Sequence, residues 1–361
     1  MDALFAGLMS GTSLDGVDGV LVDLAGDAPK LIAHSHHPFA PALRDEVLAL
    51  NTSGADELAR AARAAIALAA EYAHCVEALH EQAPGTALRA IGCHGQTVRH
   101  CPRDGYTIQL VNGALLAELT GVDVVCDFRS RDIAAGGEGA PLVPAFHQSV
   151  FASGDVHRVV VNIGGIANLT DLPADGAVRG FDCGPGNLLL DAWTRQHRNE
   201  AFDRNGAWAA SGRTIPALLA RLRDEEFFSR APPKSSGRDL FNAAWLAARL
   251  GGSEPAVDVQ ATLLALTAET VADAITRYCA TATEIYLCGG GARNTTLVQA
   301  LAALLAPRKI AITDALGIDA ENVEAMAFAW LAARTLASQP GNLPAVTGAR
   351  GPRILGAIYR A

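Results

Sequence analysis

The sequence predicts an α/β fold built in two halves. Three observations carry that expectation: strand-like apolar segments alternate with Ala-rich helical ones, a glycine-tipped hairpin opens each half, and a third glycine loop joins a strand to a helix. The first hairpin comes at the start. Ala3–Leu8 and Val17–Leu24 read as strands, the second with alternating character. The run from Gly7 to Asp18 lies between and across them, with Ser10, Gly11, Thr12, Ser13, Leu14, Asp15, Gly16, Val17 and Asp18 at or beside the hairpin tip. Gly11 and Gly16 let successive amide N–H groups turn toward an anion, and Ser10, Thr12 and Ser13 add hydroxyl donors. The composition suits a loop around a phosphate, and it also suits an ordinary tight turn. It is not a Walker loop, since neither the strand–loop–helix order nor the terminal Gly-Lys-Ser/Thr is present.

The remaining elements follow in order. Asp56 to Gln82 reads as one long helix, with Arg60, Arg63 and Glu71 on a helical period that makes its Ala-rich stretch amphipathic rather than membrane-spanning. A strand at Leu88–Cys93 runs into His94-Gly95-Gln96-Thr97. A helix at Asn112–Thr120 precedes a strand at Val122–Cys126, which ends in Asp127-Phe128-Arg129-Ser130-Arg131-Asp132. The Gly/Ala-rich piece 134–140 is the best candidate for a hinge, giving halves 1–133 and 134–361, with the C-terminal tail returning to the first. Pro141–Ser153 reads as a helix. The second half then echoes the first, with a strand at His157–Ile163, a turn at Gly164-Gly165-Ile166-Ala167-Asn168 and a returning strand at Leu169–Leu172. A helix is expected over Leu188–Gln196. The third glycine loop, Cys288–Asn294, follows the strand Glu284–Leu287 and precedes a helix over Thr295–Leu305, a junction that lets backbone approach a ligand near a helix N-terminus. Glu321 and Glu324 open an Ala-rich helix through Ala337. Together the three loops point to a nucleotide cleft between two α/β halves.

Composition narrows the partners. The chain has 361 residues, half of them apolar, enough for a full core. A net charge of −9 without a Lys/Arg run argues against a nucleic-acid backbone as ligand. No signal peptide is expected from the first residues. Seven cysteines without a Cys-x-x-Cys pair predict neither a disulfide framework nor a zinc knuckle, and they suit a reducing compartment. No spaced set of His and carboxylates points to a transition metal, so His34, His36 and His37 read as an exposed loop cluster.

Among chemistry-bearing residues, Asp182 stands among glycines in Gly180-Phe181-Asp182-Cys183-Gly184-Pro185-Gly186-Asn187. There it reads either as a base for water or a hydroxyl, or as a helix cap that the intervening Gly and Pro disfavour. His94, Gln96 and Thr97 suit sugar hydroxyls, and Arg129 and Arg131 suit a carboxylate. Pro232–Asp239 reads as a solvated connection.

These segments resemble the anhydro-N-acetylmuramic acid kinase family, a branch of the sugar kinase, heat-shock ATPase and actin superfold. The resemblance rests on the motifs at 7–18, 92–97, 127–132, 162–170, 181–187, 232–238, 289–294 and 324–331, almost end to end. It implies a two-lobed actin-like ATPase fold, with ribonuclease H-like duplicated lobes. The implied reaction phosphorylates O6 of 1,6-anhydro-N-acetylmuramic acid with ATP while water opens the anhydro bridge, as a step of cell-wall recycling. Mg²⁺ accompanies ATP, with Asp15 and Asp18 able to orient metal-bound water. By the same resemblance, residues 10–18 hold the ATP phosphates and Gly164, Gly165 and Asn168 form a second phosphate loop. Gly289, Gly290, Gly291 and Arg293 approach the adenosine, and Asp182 is the base. His94, Gln96, Thr97, Arg129, Arg131 and Glu324 lie on the sugar side. A cytoplasmic homodimer is implied. Cys183 departs from the small hydroxyl residue common in relatives. A simple sugar kinase and a nucleotide-sensing switch protein are the competing expectations.

Overall fold

The computed structural model describes residues 4–11, 14–26, 28–238 and 240–361. Ala3, Thr12, Ser13 and Asp239 therefore lie outside the described residues. The chain divides into two compact units, Met1–Val150 with Asn322–Ala361, and Phe151–Glu321.

The first unit contains β1 (Leu4–Met9), β2 (Gly16–Asp23), β3 (Lys30–Pro38), β4 (Ala90–Cys93), β5 (Gln96–Cys101), β6 (Tyr106–Leu110) and β7 (Val124–Cys126). The second contains β8 (Arg158–Ile163), β9 (Ile166–Leu172), β10 (Arg179–Pro185), β11 (Glu284–Cys288) and β12 (Lys309–Ile312), and β13 (Ala357–Tyr359) belongs to the first. The main sheet of the first unit runs β3-β2-β1-β4-β7, extended by β13, and that of the second runs β10-β9-β8-β11-β12. In each, three antiparallel strands are followed by two parallel ones. The same order and the same mix of directions recur, so the echo between the glycine hairpins extends to a whole sheet. β5 and β6 form a separate two-stranded sheet.

Sequence explains why each sheet holds. In the first unit, the helix Glu57–Gln82 presents Leu68, Tyr72, Cys75, Val76 and Leu79 to Leu8, Val17 and Leu21. The helix Val323–Leu336 covers β1 and β4 at close range, because Gly7 and Gly92 are neighbours in register. A Cβ on Gly7 would lie 1.9 Å from the Ala325 carbonyl oxygen, and one on Gly92 would lie 2.0 Å from that of Phe328. Gly7→Val is therefore expected to cost about 3 kcal/mol or more by overpacking, read as a lowered urea midpoint. An unchanged midpoint would contradict this helix–sheet contact. In the second unit, Val159, Val160 and Val161 of the central strand β8 are buried on both faces, and the largely buried helix Ala256–Tyr278 packs on β9 and β10.

Several elements differ from the sequence reading. Residues 134–140 lie inside the first unit and not at its boundary. There the buried Asp132 carboxylate accepts from the Gly139 N–H at 2.8 Å, Asn342 Nδ2 at 2.7 Å and Thr347 Oγ1 at 2.8 Å, pinning this stretch against the C-terminal segment. His34, His36 and His37 are on β3 and not in a loop. β9 starts at Ile166, so the glycine turn is only Gly164-Gly165 and Asn168 is a strand residue. Asp182 sits within β10, a strand its Gly and Pro neighbours concealed, beside a bulge at Asp182/Gly184.

Candidate active site

In the first unit the glycine loop is fastened at its base. His94 follows β4, and its main-chain N–H donates to the Leu8 carbonyl at 3.0 Å. Its ring Nε2 faces Nε and Nη2 of Arg129 at 3.2 and 2.9 Å. A guanidinium can only donate, so Nε2 is the acceptor and the proton resides on Nδ1, which donates to the Ser10 carbonyl at 3.3 Å. Burial, reinforced by the Arg129 charge, lowers the His94 pKa to about 3, so the ring is neutral at physiological pH. Burial also lowers Arg129 to about 10, against the opposing pull of Glu324 and Asp132. The guanidinium thus stays charged, and its Nη1 donates to the Gly139 carbonyl at 2.8 Å.

The rest of the loop is tied from the core. Ser10 Oγ lies 2.8 Å from the hydroxyl of buried Tyr72 and donates to the Gly95 carbonyl at 3.2 Å. Gln96 Nε2 donates to the Gly11 carbonyl at 3.2 Å, while its buried Oε1 has no hydrogen-bond partner among the described residues. Leu14 takes a positive φ of 57° that side chains seldom adopt, and its buried side chain anchors that turn. Val17 is fully buried and offers a ligand only its main chain. Gly16 packs on the His37 carbonyl. Gly11 differs from both, since among the described residues a Cβ there would meet nothing nearer than Met9 Cε at 3.9 Å. Asp15 and Asp18 are exposed, with one Asp18 oxygen 2.7 Å from His36 Nδ1.

Both His94 ring nitrogens are engaged inside the unit, on the Ser10 carbonyl and the Arg129 guanidinium. Thr97 Oγ1 accepts from Gln109 Nε2 at 3.2 Å, Arg131 is exposed, and Glu324 opens the helix Val323–Leu336 within electrostatic reach of Arg129.

In the second unit a polar row crosses the sheet. Asn162 on β8 is opposite Asn168 on β9, and Asn168 is opposite Asp182 on β10. Directly paired residues share a face, so these three side chains lie side by side. The Asp182 main-chain N–H donates to the Lys234 carbonyl at 3.1 Å, and the Ser236 N–H donates to Asp182 Oδ2 at 2.7 Å. The 232–238 loop is thus a clamp on the carboxylate and not a plain solvated connection. Burial raises the Asp182 pKa to about 7, against the lowering pull of the Ser236 amide and the Lys234 charge. Its neighbour Cys183 is buried, which pushes the thiol pKa up and leaves it inert.

The two glycine turns of this unit are locked from behind. The Gly164 carbonyl accepts from the Asn187 N–H at 2.8 Å, and the Gly165 carbonyl accepts from the Gly186 and Leu188 N–H groups at 2.9 and 3.1 Å. Among the described residues, a Cβ on Gly164 would meet only the Ile166 carbonyl oxygen at 3.7 Å, and one on Gly290 only Asn187 Nδ2 at 3.9 Å. Gly289 and Gly291 instead abut β8. At φ 77°, a Cβ on Gly289 would lie 2.3 Å from Asn162 Oδ1, a buried acceptor without a hydrogen-bond partner among the described residues. The Arg293 guanidinium is ringed by Asp314, Asp319 and Glu321 at 3.1, 2.7 and 3.4 Å, which fixes it to its own unit. Sequence reasoning missed Tyr72, Asn162, Lys234 and Ser236 as site residues. Asn162 had a usable signal, standing at the strand end that feeds a Gly-Gly turn, whereas Tyr72 sits in the middle of a long helix.

Comparison with known proteins gives a consistent match over the whole chain. The family model described as anhydro-N-acetylmuramic acid kinase matches residues 3–361. The chain is 55% identical to the anhydro-N-acetylmuramic acid kinase of Nitrosospira multiformis and 56% identical to that of Nitrosomonas europaea, each over 99% of both chains. Among solved structures, it superposes on the ADPNP-bound activator of 2-hydroxyisocaproyl-CoA dehydratase from Clostridium difficile, with a TM-score of 0.49 and 12% identity, over 90% of this chain and 92% of that one.

Proposed function

The chain belongs to the anhydro-N-acetylmuramic acid kinase family, and from that premise we propose that it opens the anhydro bridge of its sugar with water while phosphorylating O6, using Asp182 as the base. It is an ATP-dependent kinase of peptidoglycan recycling. Loops 10–18 and 164–168 are read as the phosphate-binding elements, 289–293 as the adenosine side, and Gln96, Thr97, Arg129, Arg131 and Glu324 as the sugar side, with His94 positioning Ser10 and Arg129.

One observation carries the mechanism. Asp182 has one oxygen fixed by the Ser236 amide at 2.7 Å and, through burial, a pKa raised to about 7. Such a carboxylate is ionised just above neutrality yet basic enough to accept a proton. Water attacks the anomeric carbon and gives its proton to Asp182. The bond from that carbon to O6 breaks, O6 attacks the γ-phosphoryl group, and ADP leaves. The products are N-acetylmuramic acid 6-phosphate, ADP and the proton held by Asp182. Glycosidases pair such a base with a carboxylic acid that protonates the leaving oxygen, and here phosphoryl capture of O6 takes over that task.

Asp15 and Asp18 are exposed carboxylates beside the first loop, hard oxygen donors that fit Mg²⁺ carried by ATP phosphates. Bound there, Mg²⁺ would offset charge on the phosphates. The reading includes a homodimer in the cytoplasm, and seven free cysteines accord with a reducing compartment. Among the described residues, no helix is long and apolar enough to cross a membrane.

The pH–rate profile tests the base. Below about 7 Asp182 is protonated and cannot accept a proton. Thus kcat/KM should climb with pH and level off above an apparent pKa near that value. A profile flat from pH 5 to 8 would contradict the assignment.

A further inference from the structure

We propose that His37, Glu71 and His74 form a binding site for a transition-metal ion of the zinc class, which clips β3 to the helix Glu57–Gln82. His37 Nε2 lies 2.6 Å from Glu71 Oε2, and His74 Nδ1 lies 3.8 Å from the same oxygen. One ligand atom from each residue falls within 4.8 Å of the other two. The two rings are 5.5 Å apart and tilted by 53°, so they converge without stacking.

The set is built on regular structure. Glu71 and His74 are three residues apart on one face of the helix, which Tyr72, Cys75, Val76 and Leu79 anchor in the core. His37 is fixed by its pairing with Val17 on β2. His36 points to the other face of the strand and pairs with Asp18, so it takes no part.

The chemistry selects the ion. Two imidazole nitrogens and one carboxylate are the donors of three-ligand zinc sites, which leave a fourth position for water. Imidazole disfavours Mg²⁺ and Ca²⁺, so the site is distinct in kind from one that serves ATP. The side chains are 34%, 22% and 59% exposed, which gives an ion access from solvent. The unfolded chain holds these donors apart, so the bound ion stabilises the folded state.

The test titrates Zn²⁺ alone into the metal-stripped full chain, without nucleotide or Mg²⁺, by calorimetry. Thermal unfolding with and without the ion and the visible spectrum of the Co²⁺ adduct are recorded alongside. One ion per chain, a raised Tm and tetrahedral Co²⁺ bands are expected, and His74→Ala or Glu71→Gln should weaken binding at least about tenfold. His74 is exposed, so its replacement should leave the fold intact, and the Tm of the metal-free variant checks this. No uptake at about 1 mM, or uptake that neither substitution weakens, would overturn the site.

Discussion

Asp182→Asn is expected to lower kcat by about 10²–10⁴-fold while leaving nucleotide affinity near its original value. Asparagine keeps the shape of the side chain, and its carbonyl oxygen can still accept from the Ser236 amide at the 2.7 Å position. What it removes is the proton acceptor. Ring opening and phosphorylation should fall together, because O6 becomes a nucleophile only as its bond to the anomeric carbon breaks. Substantial phosphorylated sugar from this variant would remove Asp182 from the base role. Stability supplies an independent check. The pKa of the folded state is raised to about 7, so between the ordinary carboxylate range and that value the unfolded chain releases a proton that the folded one retains. Stability therefore falls as pH rises through this window, and Asp182→Asn should abolish that part of the fall. The variant is expected to be at least as stable as the parent at pH 8 by urea titration.

Gly11→Val is expected to weaken ATP binding by about 10²-fold without a large change in Tm. Among the described residues there is room for a Cβ, with Met9 Cε the nearest atom at 3.9 Å. A ligand phosphate following the loop backbone would not have that room. Gly164→Val has the same logic on the second turn, where a Cβ is likewise clear of neighbours. The contrast with Gly7 is the point of the experiment, since there the same substitution strikes the Ala325 carbonyl and acts on the fold. Unchanged nucleotide affinity in folded Gly11→Val protein would contradict the phosphate role of this loop.

Much of the architecture could be read from residue patterns because it rests on local signals. The opening hairpin, the long helix ending at Gln82, the Gly-Gly turn after a run of buried valines and the strand–glycine–helix junction at 284–305 all announce themselves within a few residues. The strand that carries Asp182 was not legible, since Gly180, Gly184 and Pro185 disguise β10. Interactions between distant segments were out of reach. The 232–238 loop looked solvated because its main chain, and not its side chains, holds the carboxylate. Nothing local to His94 reveals that Arg129 occupies its Nε2. The His37–Glu71–His74 set escaped a search by spacing because β3 supplies one ligand and a helix more than thirty residues later supplies the others.

Coupling of ring opening to phosphoryl transfer is read out by the incorporation of solvent oxygen into the product. The chain would be incubated with Mg·ATP and 1,6-anhydro-N-acetylmuramic acid in ¹⁸O-water, and the sugar product weighed by mass spectrometry. A phosphorylated sugar that carries one solvent oxygen is expected, placed at the anomeric carbon by the water that Asp182 deprotonates. A phosphorylated product without solvent oxygen would contradict the coupling.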